Sequence, residues 1–74
     1  MDKETKTILK NIKNGRIYAL KNEIGFFEEY INRHKGAKEK GFQFLVWIAK
    51  ELIKAKKSVI KKIENKYDSL IKEE

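Results

Sequence analysis

The sequence predicts an all-α protein, a helical hairpin of two long helices, on three observations. Apolar residues recur at the helical spacing of 3.6 residues, and no segment alternates apolar and polar residues as a strand does. The chain has no proline to interrupt a helix. One stretch, residues 34–41, has two glycines and no large apolar side chain, and it marks the connection. We expect a single helical domain over residues 1–74.

The N-terminal half is predicted to form one continuous helix of about 30 residues, because two apolar stripes run along it at the helical period. One stripe consists of Ile17, Leu20, Ile24, Phe27 and Ile31. The other lies about 100° away and consists of Ile8, Ile12, Gly15, Ala19, Phe26 and Tyr30. A three-helix bundle is the alternative, with a break near Asn14-Gly15 and a new helix from Arg16. A glycine inside a packed helix costs only about 1 kcal/mol relative to alanine, which favours the continuous helix.

The second helix is predicted to begin between Lys38 and Phe42 and to end near Glu73, since no breaker follows Gly41. Gly36 is expected to cap the first helix, because glycine accepts a positive φ. The second helix also has two apolar stripes. The stripe expected to form its core consists of Leu45, Ile48, Leu52, Ala55, Val59, Ile63 and Leu70. The stripe beside it consists of Ala49, Ile53, Ile60, Tyr67 and Ile71.

This surplus of apolar stripes predicts a homodimer. A lone hairpin needs one apolar stripe on each helix, so two adjacent stripes on both helices call for further neighbours. A two-fold pair of hairpins supplies them as an antiparallel four-helix bundle. The chain has no cysteine and therefore no disulfide to stabilise so small a domain, and oligomerisation is a common remedy.

The charge balance favours an anionic partner. The chain has 18 lysines and arginines against 11 acidic residues, a formal net charge of +7. Such a balance is typical of proteins that bind nucleic acid or an acidic protein. The longest apolar run, residues 44–49, is far too short to span a membrane, and the charged start of the chain does not resemble a signal peptide. We expect a cytoplasmic protein that does not bind membranes.

Catalysis is not expected, because the residue types that carry it are scarce. The chain has no cysteine, its only histidine is His34, and its only serines are Ser58 and Ser69. Nothing in the spacing brings a nucleophile and a base together. Metal-binding spacings and glycine-rich phosphate loops are also missing from the sequence. We therefore predict no enzyme activity, cofactor or metal site, and we expect His34 to be a solvated loop residue.

Residues 48–63 partly resemble the helix-turn-helix motif of DNA-binding proteins. Ala49 supplies the small residue of that motif, and Leu52 and Val59 are among its apolar positions. The position usually held by glycine in the turn is Ile53, and no turn residue lies between Leu52 and Ser58. We therefore expect an uninterrupted helix here.

Lysines on the second helix form the main candidate site. Four of them fall within roughly 60° on the helical wheel and form a lysine ridge of Lys50, Lys54, Lys57 and Lys61. Lys62 and Lys66 flank the ridge and are counted with it as predicted nucleic-acid-binding residues. The ridge extends about 16 Å, and a cationic rod of that length suits a phosphate backbone. Residues 54–66 hold six lysines and one glutamate, whereas a face evolved only for solubility mixes both signs. We expect a regulatory protein that binds DNA or RNA through this face; a charged solvent face is the alternative explanation.

Exposed aromatics indicate a second possible function. Trp47 and Tyr18 lie off the apolar stripes, and Arg33 and Lys35 lie in or beside the connection. Aromatic and arginine side chains dominate the energetics of protein interfaces. These four residues are therefore candidate partner-binding residues of a protein-interaction module, such as a phage-type inhibitor, an immunity protein or an adaptor.

Overall fold

The protein is a hairpin of two long antiparallel helices, and the computed structural model describes residues 2–72. Helix α1 spans Lys3–Arg33 and helix α2 spans Lys40–Lys72. The hairpin is long and thin, with extents of 56 × 15 × 12 Å. The predicted all-α hairpin and its connection are confirmed. Glu73, where the second helix was predicted to end, lies outside the described residues.

Both helices are continuous. Gly15 lies inside α1, so the three-helix alternative with a break near Asn14-Gly15 is wrong. Helix α2 has no turn between Leu52 and Ser58, which confirms that this segment is not a helix-turn-helix. Neither helix, within residues 2–72, is apolar enough over a sufficient length to cross a membrane.

Helix α1 begins with a side-chain cap. Asp2 is the N-cap residue, and its carboxylate accepts a hydrogen bond from the backbone N–H of Thr5 at 2.7 Å. This bond satisfies one of the backbone donors that the first turn of a helix leaves unpaired. The same hydrogen bond lowers the pKa of Asp2 below its ordinary value of 3.8, because it favours the charged carboxylate.

The cap predicts an acid sensitivity of the first turn. A pKa depressed in the folded state means that the stabilisation is present above 3.8 and is lost as the pH falls through the folded-state pKa. An Asp2→Asn variant keeps a capping oxygen but cannot titrate. Its melting temperature, measured by circular dichroism, should fall less than that of the wild type between about pH 5 and about pH 2. An equal fall in the two proteins would assign the acid sensitivity to other carboxylates.

The connection differs from the prediction in two details. Helix α1 ends at Arg33 with His34 as its C-cap, two residues before the predicted Gly36; Gly36 instead turns the chain with a φ of 90°. His34 is not a solvated loop residue. Its ring is half-buried, 4.4 Å from the Tyr30 ring and stacked 4.8 Å from the Phe42 ring. The short connection places the first turn of α2 against the end of α1, and this explains the stacking.

The core of the hairpin lies along one stripe of each helix. On α1 it is the predicted stripe, with Ile24 buried and Ile17, Leu20, Phe27 and Ile31 packed around it. On α2 the predicted core stripe is wrong, because the buried residues are Ala49, Ile53, Ile60 and Tyr67 of the neighbouring stripe. Leu45, Leu52 and Val59 of the predicted stripe are exposed.

Two ion pairs between the helices fix their register. Lys13 of α1 donates a hydrogen bond of 2.7 Å to Asp68 of α2, and Lys56 of α2 donates one to Glu23 of α1. The Lys56 ammonium also lies 6.0 Å from the centre of the Phe27 ring, within the range of a cation–π contact.

Candidate nucleic-acid interface

The lysine ridge is continuous because helix α2 is continuous. All four of its lysines are exposed. Lys62 and Lys66 are also exposed, but at 100° per residue they lie about 100° and 140° around the helix from Lys61. They therefore belong to neighbouring faces of α2 and not to the ridge itself.

The structure adds lysines from outside α2 to this region. Lys21 of α1 lines a groove of about 380 Å³ together with Lys57. Lys35 of the connection lines a second groove, of about 430 Å³, together with Lys50. The wheel positions of Lys50 and Lys57 place both grooves on the same side of the hairpin. We call this the basic side; it consists of Lys21, Lys35, Lys50, Lys54, Lys57 and Lys61.

The ridge lysines do not hold the hairpin together. Among residues 2–72, no carboxylate lies within 4.0 Å of Lys50, Lys57 or Lys61. Lys54 lies 3.9 Å from Glu51, and both side chains are exposed, so that pair contributes little. The lysines that pair across the hairpin are others, Lys13 and Lys56. The charges of the ridge are therefore largely uncompensated by the part of the chain that the structure describes.

The closely spaced lysines of the ridge repel each other, and a bound anion would reduce this repulsion. Lysines three or four residues apart on a helix repel each other by about 0.2–0.5 kcal/mol per pair. The ridge contains three such pairs, from Lys50 to Lys54, from Lys54 to Lys57 and from Lys57 to Lys61. A row of phosphates along the ridge would turn this repulsion into attraction.

Acidic residues near the ridge are few and partly neutralised. Asp68, which lies on the face of the ridge about two turns beyond Lys61, has its carboxylate paired with Lys13 of α1. Glu64 is exposed, beyond the C-terminal end of the ridge. Glu28 lines the same groove as Lys21 and Lys57. The Lys50 end of the ridge is therefore the more strongly cationic end.

The two predicted aromatic contact residues are exposed but do not form one patch. Trp47 is 57% exposed and stacks on Phe44 at 6.1 Å, and Tyr18 is 69% exposed. Tyr18 lies on α1 between Lys13 and Glu23, which pair with Asp68 and Lys56 of α2. The part of α2 beside Tyr18 therefore lies between residues 56 and 68. Tyr18 therefore lies level with a point at least nine residues beyond Trp47, more than about 13 Å along the hairpin.

The structure also separates Arg33 from Lys35. Arg33 pairs with Glu29 at 2.7 Å and lines a surface with Phe26 and Tyr30. Lys35 instead joins the groove of Lys50, together with the amide side chains of Asn32 and Gln43. Lys35 thus belongs with the predicted nucleic-acid-binding residues by position.

Lys21 is the residue of this site that sequence reasoning missed. It lies on one flank of the α1 core stripe, three residues before Ile24. The wheel shows that flank, but it does not show whether the flank lies beside the ridge or on the opposite side. The handedness of the hairpin decides this, and no local signal in the sequence records it.

Comparison of the chain with protein-family models, with curated proteins and with solved structures found no match. Residues 2–72 contain no group of three or more histidine, cysteine or acidic side chains placed to hold a metal ion. The function is therefore inferred from the residues and their arrangement.

Proposed function

We propose that this protein binds nucleic acid, DNA or RNA, through its basic side, as a non-enzymatic regulatory protein. One observation carries the proposal: four aligned lysines remain exposed, and three of them have no carboxylate within 4.0 Å among residues 2–72. Lys21 and Lys35 extend the same side onto α1 and the connection. The binding unit is a homodimer, which forms through the opposite side of the hairpin.

The chemistry of the basic side suits the phosphate backbone. Lysine ammonium groups neutralise phosphates and release counterions, which supplies affinity without base specificity. Asn32 and Gln43 lie in the groove beside Lys35 and Lys50, where their amides can contact sugars or base edges. Trp47 is one turn before Lys50 and offers an exposed ring for an unpaired base. Any preference of the protein for one nucleic-acid structure, or for single strands, should therefore arise at the Lys50 end of the ridge.

Salt dependence tests this proposal directly. Labelled DNA duplex, single-stranded RNA and structured RNA would each be titrated with the protein between about 50 and 200 mM salt. Four phosphates neutralised on a duplex give a slope of about −3.6 in log affinity against log salt, a fall of about 100-fold over that range. Failure to bind any of the three at about 50 mM salt would contradict the proposal.

A protein-interaction module is the second candidate, and the exposed Phe44–Trp47 pair favours it. Stacked aromatics at a surface are typical anchors of an interface. A protein partner bound through this aromatic pair would show affinity that depends weakly on salt and is lost in Trp47→Ala. The same substitution should change the affinity for duplex DNA by less than about threefold, since the ridge remains intact.

A further inference from the structure

The side of the hairpin opposite the lysine ridge is apolar. Phe26 and Tyr30 of α1 and Leu45, Ile48 and Leu52 of α2 line an open groove of about 280 Å³ near the connection. The lining is almost entirely apolar, and Phe26 is 68% exposed. We call this surface the apolar side.

The apolar side continues to the open end of the hairpin. Ile8 and Ile12 belong to the same stripe of α1 as Phe26, and both are exposed, Ile8 by 51%. On α2 the apolar surface continues through the exposed Val59 and ends at the exposed Lys66, seven residues further along the same face. The two isoleucines project at the open end, whereas the groove lies at the connection end. The surface therefore carries both a projection and a recess.

The hairpin by itself buries very little. Five hydrophobic residues are buried among residues 2–72, and none of them is completely enclosed: Ile24, Ala49, Ile53, Ile60 and Tyr67. Apolar burial is the main favourable term in folding, and chains of this size are short of it. One whole side of the hairpin, 56 by 15 Å, has a projected area of roughly 800 Å². A partner lying along its full length can therefore bury about the area that is usual for one partner of a standard interface.

We propose that a second copy of this chain covers the apolar side in an antiparallel two-fold dimer. Ile8 and Ile12 of each copy fill the groove of the other. A two-fold interface uses the same surface twice, so that surface must contain a projection and its matching recess. Along α1, Ala19 lies midway between the two isoleucines and the pair Phe26 and Tyr30 at the edge of the groove. The two-fold axis of the dimer therefore passes at Ala19. The small Ala19 side chain lets the two α1 helices approach closely.

Charge complementarity supports the same arrangement. Rotation about an axis at Ala19 brings Arg16 of one copy level with Asn22 and Glu23 of the other. Arg16 and Glu23 both lie near the edge of the apolar side by their wheel positions. Lys56 of the same copy binds Oε2 of Glu23, so Arg16 of the other copy would bind Oε1. The pairing occurs twice by symmetry. A parallel arrangement would instead place groove against groove and leave both recesses unfilled. The inference does not depend on what the basic side binds.

Disulfide trapping tests the axis, and the chain suits it because it has no cysteine of its own. Two Cα atoms must lie within about 4.4–6.8 Å for a disulfide to form, which for one residue and its symmetry copy occurs only near the axis. Ala19→Cys should form a covalent dimer under mild oxidation. Asn14→Cys is the matched control, an exposed position about 140° around the same helix; it should stay largely uncrosslinked.

Sedimentation of the cysteine-free protein completes the test. The expected mass is twice 8.8 kDa for the wild type and 8.8 kDa for Phe26→Glu, which places a charge in the groove. A monomeric wild type would overturn the inference, and so would a Phe26→Glu variant that stays dimeric. A dimer that crosslinks through Ile12→Cys as well as through Ala19→Cys would overturn the antiparallel arrangement, because only a parallel axis brings both residues of the stripe close to their own copies. A monomeric wild type would also remove the homodimer as the binding unit, whereas nucleic-acid binding itself is decided separately by the salt titration.

Discussion

Reversal of Lys57 and Lys61 to glutamate should reduce the affinity for nucleic acid by at least about 100-fold near 50 mM salt. Each lysine that contacts a phosphate contributes about one unit to the salt slope, so the slope should also fall by about two. The loss exceeds that of neutral substitutions because each glutamate repels the phosphate that the lysine attracted. Fluorescence anisotropy of a labelled oligonucleotide measures both quantities.

The pair Lys62 and Lys66 gives the matched control for that experiment. These lysines are also four residues apart on α2, also exposed, and change the net charge equally when reversed. They lie outside the ridge, so their reversal should reduce the affinity by less than about tenfold while the dimer persists. Lys66 shares the wheel position of Ile48 on the apolar side, so sedimentation must show that the variant is still dimeric. Equal losses from the two pairs would show that binding follows net charge and not the ridge. Circular dichroism should show unchanged helical content in both variants.

Truncation of Ile53 to alanine should lower the free energy of unfolding by about 2–4 kcal/mol. Ile53 is 9% exposed and packs with Ile24 and Ile60 at the centre of the hairpin. In a chain of this length, each kcal/mol shifts the melting temperature by about 4–8 °C, so a fall of at least about 8 °C is expected. Thermal melts at one fixed protein concentration measure it.

Trp47→Ala is the control for the core substitution. It removes a larger side chain from the same helix, but one that lies outside both the core and the apolar side. The expected change in the free energy of unfolding is within about 0.5 kcal/mol, as for other surface substitutions. A loss equal to that of Ile53→Ala would contradict the position of the core.

The helices and their connection were predictable because their signals are local. Apolar spacing, the lack of proline and the glycines of residues 34–41 each act within a few turns of chain. The end of α1 was less predictable: His34 caps the helix two residues before Gly36. Its ring also stacks on Phe42, which is a contact between helices that no local pattern shows.

The choice between neighbouring stripes was not predictable, because it depends on where the other helix lies. On α2 two apolar stripes lie side by side, and the position of α1 decides that Ile53 is buried and Leu52 is exposed. The same information decides that Lys21 lies beside Lys57. The lysine ridge itself needed only the helical period, so its four members were predictable from sequence.

The back-to-back placement of the basic and apolar sides has a consequence for how binding strength depends on the length of the nucleic acid. Two hairpins joined through their apolar sides carry their ridges on opposite outer faces. A short oligonucleotide reaches one ridge only, whereas a long or looped strand reaches both and gains avidity. Affinity should therefore rise steeply once the strand is long enough to pass around a body about two hairpins thick. The dimer would then act as a bivalent clamp that joins two distant segments of one strand.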